Sequence, residues 1–289
     1  MINEITKNKI ILCPICAANR VRQCFVKQGI AVLACEECTV RFWQPKETEA
    51  VADIYNENYF VGEETANGYN NYLMLEPGLR KTFRKRLQRI QAMGAPGKKL
   101  LEVGCGTGFF LDEARKAGFE VIGVELSGFG AKYAQEKLRL NVKQGKLLEQ
   151  NFASQSFDVV CMWDVLEHLP DPLADMKEVR RLLKPGGKLL LSTGNAQSAM
   201  AKLSGANWHL YTLPEHLFFF TPYSVEALLK KAGFSVIKIS HPALHLPISY
   251  LAERLRKTLH LPTGFLIRIP WIVPVNLFDV MTVEARANE

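Results

Sequence analysis

The 289-residue chain has no run of about 18 apolar residues, the length that a membrane-spanning helix needs. The nearest approach, residues 264–281, is interrupted by Arg268, Pro270, Pro274 and Asp279. No spanning helix is therefore expected. The first residues, MINEITKNKIIL, lack a charged region followed by a long apolar core, so a cytoplasmic protein without a secretory leader is expected. Outside an oxidising compartment, the seven cysteines read as thiols or metal ligands, not disulfides. Acidic residues are fewer than basic ones, 29 against 36, for a net charge of +7. That excess suits an anionic substrate but does not demand nucleic acid. A hydrophobic content of 48% and a charged content of 22% are ordinary for a globular enzyme, and the length suits one large domain plus a small one.

Residues 100–114, LLEVGCGTGFFLDEA, organise the rest. Leu100, Leu101 and Val103 make a buried strand, Gly104, Gly106 and Gly108 a turn, and Phe109, Phe110, Leu111 and Ala114 the apolar face of a helix. Glycines there let the chain bend sharply and a ligand lie against the backbone. The third glycine of a dinucleotide-binding G-x-G-x-x-G is missing, because Phe109 stands in its place, and this argues against a pyrophosphate. Glu102, just before the turn, suits a ligand carrying an amine and a sulfonium. From Lys98 onward strands and helices alternate, the pattern of a parallel α/β sheet with helices on both faces. The strands are expected at Lys99–Val103, Glu120–Val124, Asn141–Lys143, Ser156–Met162, Lys188–Ser192 and Phe234–Ser240, with an antiparallel last strand at Val280–Ala285. Glu125 closes the second strand, about 20 residues past the turn, where a carboxylate can accept both hydroxyls of a ribose.

The turn resembles the first motif of the class I S-adenosylmethionine (SAM) methyltransferases. Three further stretches strengthen the resemblance: Glu125 after the second strand, Phe157-Asp158 through Val165-Leu166-Glu167-His168 to Asp171-Pro172, and Leu183-Lys184-Pro185-Gly186-Gly187. Together they cover about residues 98–240. The resemblance implies a Rossmann-like seven-stranded sheet and SAM as cofactor. It places SAM-binding residues at Glu102, Gly104, Cys105, Gly106 and Gly108, at Glu125 and Leu126, at Lys146 and Leu147, and at Trp163 and Asp164. The Gly-Asp pair that often follows the third strand in this family is absent: the residues are Gly145-Lys146, so the adenine contact must come from backbone or elsewhere.

Near the start, Cys13-Pro-Ile-Cys16 and Cys35-Glu-Glu-Cys38 form two knuckles able to close a tetrahedral four-cysteine site for structural zinc. The glycine that often follows the second cysteine of such a knuckle is lacking, with Ala17 and Thr39 in its place. Val21 to Leu33 reads as a hairpin turning near Gly29, and Cys24 as part of it. The expected units are a zinc ribbon (1–44), a helical connector or lid (45–97), the SAM-binding core (98–240), and an apolar insertion with the last strand (241–289). In the connector, Glu47 to Asp53 reads as a short helix. Tyr55, Tyr59, Phe60, Tyr69 and Tyr72 form an aromatic stretch that either lids the cofactor or packs a linker. A basic helix follows, Arg80 to Arg89, whose charge run reads as a solvated face.

Residues 195–222 should shape the acceptor pocket. They end in Pro214-Glu215-His216-Leu217-Phe218-Phe219-Phe220-Thr221, a signature similar to zinc-ribbon methyltransferases acting on sugars. His216 and His168 should converge on the methyl group, and either imidazole can remove a proton near neutral pH. Glu215 is the third catalytic candidate, orienting an imidazole or accepting a substrate hydroxyl. His241, His245 and His260 read as structural. The function expected is methyl transfer to a small polar acceptor, a sugar or a glycan or lipid-linked precursor. The alternatives are an RNA base methyltransferase and a non-catalytic SAM-binding or zinc-ribbon interaction module. The RNA reading is weakened by the absence of an N-P-P-Y-type base clamp and by an acceptor loop rich in Phe instead of Lys and Arg. Ser249–His260 reads as an amphipathic helix that packs on the core or meets a membrane surface or lipid-linked substrate.

Overall fold

Apolar runs bounded by glycine turns become the central strands. The structure is a computed structural model describing residues 11–45, 60–61, 72–252 and 271–288. Three short strands come first: β1 (Val21–Lys27), β2 (Ile30–Cys35) and β3 (Arg41–Phe42). Helix α1 (Glu76–Ala92) leads into β4 (Lys99–Val103), α2 (Phe109–Lys116), β5 (Glu120–Glu125), α3 (Gly128–Glu136), β6 (Val142–Gln144) and β7 (Phe157–Trp163). Then come α4 (Pro172–Leu182), β8 (Leu183–Gly194), α5 (Ala199–Ser204), β9 (Phe218–Phe219), α6 (Pro222–Lys231) and β10 (Phe234–Ser240). The chain ends through β11 (Leu244–Pro247), β12 (Ile272–Val275) and β13 (Val280–Ala287).

Seven strands form the main sheet in the order β10-β13-β8-β7-β4-β5-β6. Five run parallel, and β13 pairs antiparallel with both β8 and β10. The Rossmann-like α/β sheet expected from the sequence is present. Alternation along the strands builds two apolar layers. Leu101, Val103, Val160, Met162, Leu189 and Leu191 face α4 and α6. Leu100, Val159, Cys161, Trp163 and Leu190 face α1 and α2. Asp158 of β7 ties neighbouring strands together: its carboxylate accepts from the Lys99 amide and from Lys184 Nζ, both at 2.9 Å.

The charge run on α1 is not simply a solvated face. Arg80 reaches across to Glu76, Asp112 and Glu113, each at 2.7 Å, and so bolts α1 to α2. Arg86 is buried, with its guanidinium 4.2 Å from the Trp163 ring centroid. A guanidinium can lie on an aromatic face while its stem packs against the core, so arginines enter places where a sequence pattern reads solvent.

The ribbon strands and β9 form a second sheet, β1-β2-β3-β9, in which Phe42 pairs with Phe218 and Arg41 with Phe219. Cys13, Ile15, Val40 and Phe42 share one apolar core with Phe218, Phe220 and Leu228. The apolar insertion contributes the β11–β12 pair, which lies on α1. A side chain at Gly78 would collide with the His245 carbonyl, and the His245 amide donates to Thr82 Oγ1 at 2.9 Å. Of the Ser249–His260 expectation only residues 249–252 are described, and they are helical. Glu47–Asp53, Tyr55, Tyr59, Tyr69 and His260 lie outside the described residues. No helix among the described residues is long and apolar enough to cross a membrane.

Candidate functional site

At the C-terminal end of β4 the three glycines have positive φ, +69° at Gly104, +53° at Gly106 and +82° at Gly108, and their surroundings differ. A side chain at Gly104 would collide with Val165. One at Gly108 would come within 2.9 Å of Ala134 and 2.7 Å of Leu140. Only at Gly106 is the space open, with Phe60 at 3.8 Å and Tyr72 Oη at 3.9 Å from where a Cβ would stand. The sequence reading brings a ligand against the whole turn. In the structure a side chain is barred by packing at Gly104 and Gly108, and at Gly106 open space stands where a Cβ would be.

Glu125 is 7% exposed and held at the end of β5. Its Oε2 accepts from the Gly106 amide at 2.6 Å and its Oε1 from the Ser127 amide at 2.8 Å. Burial raises its pKa, and the amides of Ser127, Gly106 and Leu126 oppose that rise. Each oxygen keeps a lone pair for a further donor. Leu126 is half-buried, and its backbone amide acts on the Glu125 carboxylate. Above the turn Phe60 packs edge-on to Tyr72 (5.9 Å) and against Phe129 (5.4 Å), while Tyr72 stacks on Phe109 at 6.0 Å. Of the aromatic stretch, these two residues wall the glycine turn.

On the α1 side lie Glu102 and Trp163. Glu102 Oε2 and Trp163 Nε1 are buried and have no hydrogen-bond partner among the described residues. Burial, then the Glu125 charge, pushes Glu102 well above the usual carboxylate range, and Arg86 offsets part of it. Trp163 packs edge-on to Phe110 at 5.2 Å, beneath α1. Two buried carboxylates, one of them near the Arg86 guanidinium and carrying an orphaned oxygen, beside an open glycine cradle fit a cationic ligand with a ribose. SAM has that composition. Cys105 is buried, its sulfur against Gly123. Asp164, at φ +57°, accepts from Ser192 Oγ at 2.9 Å. Leu147 is a core residue, whereas Lys146 is exposed and its amide donates to Glu149 at 2.9 Å.

The acceptor candidates meet at the end of β7. Nδ1 of His168 is 2.9 Å from the Glu215 carbonyl, and Nδ1 of His216 is 2.9 Å from the Leu210 carbonyl. A carbonyl only accepts, so each Nδ1 carries the proton and each Nε2 the lone pair. The rings stand 4.6 Å apart at 83°. Burial lowers both pKa values, and the facing imidazole lowers that of His216 further, well below the usual histidine value. Glu215 therefore orients His168 through its backbone, while its carboxylate Oε2 is buried without a partner among the described residues. A small cavity opens between Glu167, Thr193, Trp208, Leu210, His216 and Phe219. Glu167 is absent from the site residues read in the sequence, although it sits inside the Val165–His168 motif. Burial and the Asp164 charge push its carboxyl up to about 8. Trp208 lies in the 195–222 stretch expected to shape the pocket, whereas Thr193 gave no signal, because β8 reads as core. His241 accepts from Asn195 Nδ2 at 3.2 Å, and His245 packs on α1 through Thr82.

The four cysteine sulfurs gather as the sequence spacing predicts, all within 4.8 Å of one another, with Cys13 to Cys38 and Cys16 to Cys35 at 3.5 Å. Ala17 (φ +64°) and Thr39 (φ +66°) adopt the left-handed conformation that glycine favours, and their amides donate to the Cys13 and Cys35 carbonyls. The knuckles keep their shape without glycine. The Cys13 thiol is pulled down to about 5 by the Cys38 sulfur beside it. A tetrahedral set of sulfurs is the donor arrangement zinc accepts.

A family model described as a methyltransferase domain matches residues 76–239. The chain belongs to this methyltransferase family. It is 34% identical over 163 residues to a protein of Psychrobacter arcticus named ubiquinone biosynthesis O-methyltransferase, a match covering 51% of this chain and 63% of the relative. The chain thus spans under two thirds of that relative's length. Among solved structures, a SAM-dependent methyltransferase from Archaeoglobus fulgidus is similar, with a TM-score of 0.51, 18% identity, and coverage of 72% of this chain and 94% of that one. So is the [4+2]-cyclase SpnF, at a TM-score of 0.50 and 20% identity, covering 70% of this chain and 80% of that one. The methyltransferase fold is shared by both, and fold alone does not name the reaction.

Proposed function

We propose that this methyltransferase transfers a methyl group from SAM to a small polar acceptor, a sugar or a glycan or lipid-linked precursor, and that zinc on Cys13, Cys16, Cys35 and Cys38 is structural. The observation that carries the reading is the Glu125 carboxylate, fixed by the Gly106 and Ser127 amides beside an open glycine, with two oriented imidazoles at the neighbouring strand end. Glu125 would accept from the ribose hydroxyls. Glu102, on the inner side, would face the positive charge of the cofactor. Bound SAM supplies an electron-poor methyl on a good leaving group. The protein then has to align the acceptor and take its proton. His216 is assigned as the base: its Nδ1 is committed to Leu210, so Nε2 accepts, and the depressed pKa keeps it unprotonated at neutral pH. His168, locked by the Glu215 carbonyl, stands at its edge. The name O-methyltransferase borne by the Psychrobacter arcticus relative supports a hydroxyl acceptor. Zinc is supported by the four-sulfur arrangement.

The test is incubation of the purified protein with methyl-labelled SAM and fractionated cell extract, before and after ribonuclease. Label in a small polar product that survives ribonuclease is expected. Label lost with ribonuclease would transfer the assignment to RNA, and SAM binding without any labelled product would make the chain a binding module.

A further inference from the structure

We propose that the outer face of the β11–β12 pair docks on an anionic lipid bilayer, through an aliphatic strip, an aromatic anchor and a basic flank. Side chains alternate along a strand, so each strand of the pair has one set facing α1 and one facing away. His245 belongs to the inner set, buried with its Nδ1 3.4 Å from Thr82 Oγ1 of α1. Pro247 is inner too, its ring against Gly78. Leu244 and Leu246 therefore point outward, with their cross-strand partners Val275 and Val273. All four are aliphatic, and none joins an apolar cluster among the described residues. Two residues before Val273, Trp271 continues the same alternation. Its carbonyl accepts from the Ile248 amide at 2.9 Å, and the residue is 69% exposed. An aliphatic face edged by an exposed tryptophan marks a surface for a partner.

The neighbouring charges select which partner. Lys81, Arg84 and Lys85 are exposed on α1. Arg84 meets Glu113 at 3.4 Å, whereas Lys81 and Lys85 have no ion pair among the described residues. Burial, then the charges of Lys85 and Lys81, lower the pKa of His245, so both ammonium groups stand beside β11. Lysine is depleted at interfaces between proteins, yet gains from acidic headgroups, so this flank favours a bilayer over a second copy of the chain. Tryptophan at the headgroup level and aliphatic side chains at the acyl boundary complete the match. The surface also runs on to the pocket. After β12, Asn276 Nδ2 donates to the His241 carbonyl and its Oδ1 accepts from the Phe278 amide, both at 2.8 Å, and Leu277 and Phe278 stand exposed. Asp279 follows and accepts from Nε1 of Trp208 at 3.1 Å, a residue that lines the cavity beside His216. The surface rests on geometry and charge alone; that it brings a lipid-linked acceptor to the pocket rests on the function proposed above.

The experiment co-sediments the full chain, without SAM, with vesicles of phosphatidylcholine or of phosphatidylcholine and phosphatidylglycerol in equal parts. The parent is compared with Trp271→Ser and with the double variant Lys81→Gln, Lys85→Gln. The parent should bind the anionic vesicles, bind the neutral ones far less, and be released by salt. Affinity should fall roughly tenfold or more in the lysine variant and several-fold in Trp271→Ser, with unchanged melting temperatures because the altered side chains are exposed. On the parent, anionic vesicles should shift tryptophan emission to the blue, a shift lost in Trp271→Phe. Absence of binding, equal binding to both vesicles, or undiminished binding in the variants would overturn the surface. So would a Trp271 shielded from acrylamide in the free chain, which would show the face to be covered already, or a dimer that Trp271→Ser dissolves, which would give it to a second copy. Failure to bind SAM by calorimetry would instead overturn the methyltransferase reading and leave the vesicle result standing.

Discussion

Trp43 Nε1 donates to the His216 carbonyl at 2.8 Å, and the Trp43 amide donates to the Leu217 carbonyl at 3.1 Å. A residue just past the last knuckle thus holds the backbone of the candidate base. The same strap continues through β3 and β9 and through Thr39 Oγ1 to Thr221 Oγ1 at 2.6 Å. Arg41 reaches the Tyr211 hydroxyl, and Lys27 Nζ reaches the Tyr211 carbonyl at 3.0 Å. The cysteine knuckles sit at one end of this strap and the loop of His216 at the other. Whatever folds the ribbon therefore also fixes the pocket wall.

Trp43→Phe keeps most of the packing and removes one hydrogen bond, so it should cost about 1 kcal/mol of stability, read as a small drop in Tm. Turnover should fall by more than that loss of stability explains, with SAM affinity unchanged. Metal analysis of the purified chain should find one zinc in the cysteine site, and its removal should lower the melting temperature of the whole chain, because the ribbon shares its core with β9 and α6. A chain without stoichiometric zinc, its thiols freely titratable, would reject the ribbon as a zinc site.

The glycine turn gives a sharper contrast. Gly104→Ala should destabilise by roughly 2–3 kcal/mol, since the new methyl collides with Val165 and φ is +69°. Val165→Ala in the same chain should recover part of that loss. Gly106→Ala meets only ordinary contacts, so its stability cost should be near the left-handed strain alone, about 1 kcal/mol. Its SAM affinity should fall much further than that of Gly104→Ala once folding is corrected for. Urea melts and calorimetry on the three variants check the ordering. Equal affinity losses at Gly104 and Gly106 would remove the ligand-facing role of Gly106.

Much of this site was legible in the chain because its chemistry is local. Glycine spacing, the acid closing the second strand and the two cysteine knuckles each sit within a few residues. The strands followed the same logic, and Phe234–Ser240 agrees to the residue. What escaped notice depends on residues far apart. Arg86 reads as one charge in a basic run, and only the position of Trp163 on β7 shows why it is buried. Glu215 reads as a carboxylate that orients an imidazole, yet its carbonyl does that work, and a backbone role leaves no trace in residue type. Ala17 and Thr39 read as departures from a knuckle, although the turn holds them at the same left-handed φ. The pairing of β3 with β9 joins segments more than 170 residues apart, and no periodicity within either predicts it.

Glu125→Ala should weaken SAM binding by roughly 1–3 kcal/mol, the cost of leaving ribose hydroxyls unpaired in a buried pocket. The structure adds a second consequence. The Gly106 and Ser127 amides lose their acceptor, so the turn itself loosens. Glu125→Gln should not rescue the loss, because a carboxamide presents one acceptor oxygen and one N–H group to two backbone donors. Calorimetry with SAM on both variants is the check, and unchanged affinity in either would reject the ribose role.

His216→Ala should lower kcat by roughly 10²–10⁴, the usual worth of a general base, with SAM affinity nearly constant. The imidazole is buried, and burial and the facing His168 ring hold its pKa well below the ordinary value. The sign for pH follows: the base is unprotonated above its lowered pKa, and turnover is lost as pH falls through it. The acid limb of kcat/KM should therefore lie below the ordinary histidine value of about 6.5. It should disappear in His216→Ala, whose residual rate no longer depends on this proton. His168→Ala is the control. It removes the ring that faces His216 and releases the bond to Glu215, so it should move the acid limb upward, toward the ordinary histidine value, while retaining more turnover than His216→Ala. A purely structural His216 gives another pattern, in which Tm falls, the rate loss tracks the unfolded fraction, and the acid limb stays where it was. Thermal melts and a pH profile on the same three proteins separate the two accounts. A His216→Ala variant that melts normally and turns over at the parent rate would discard both.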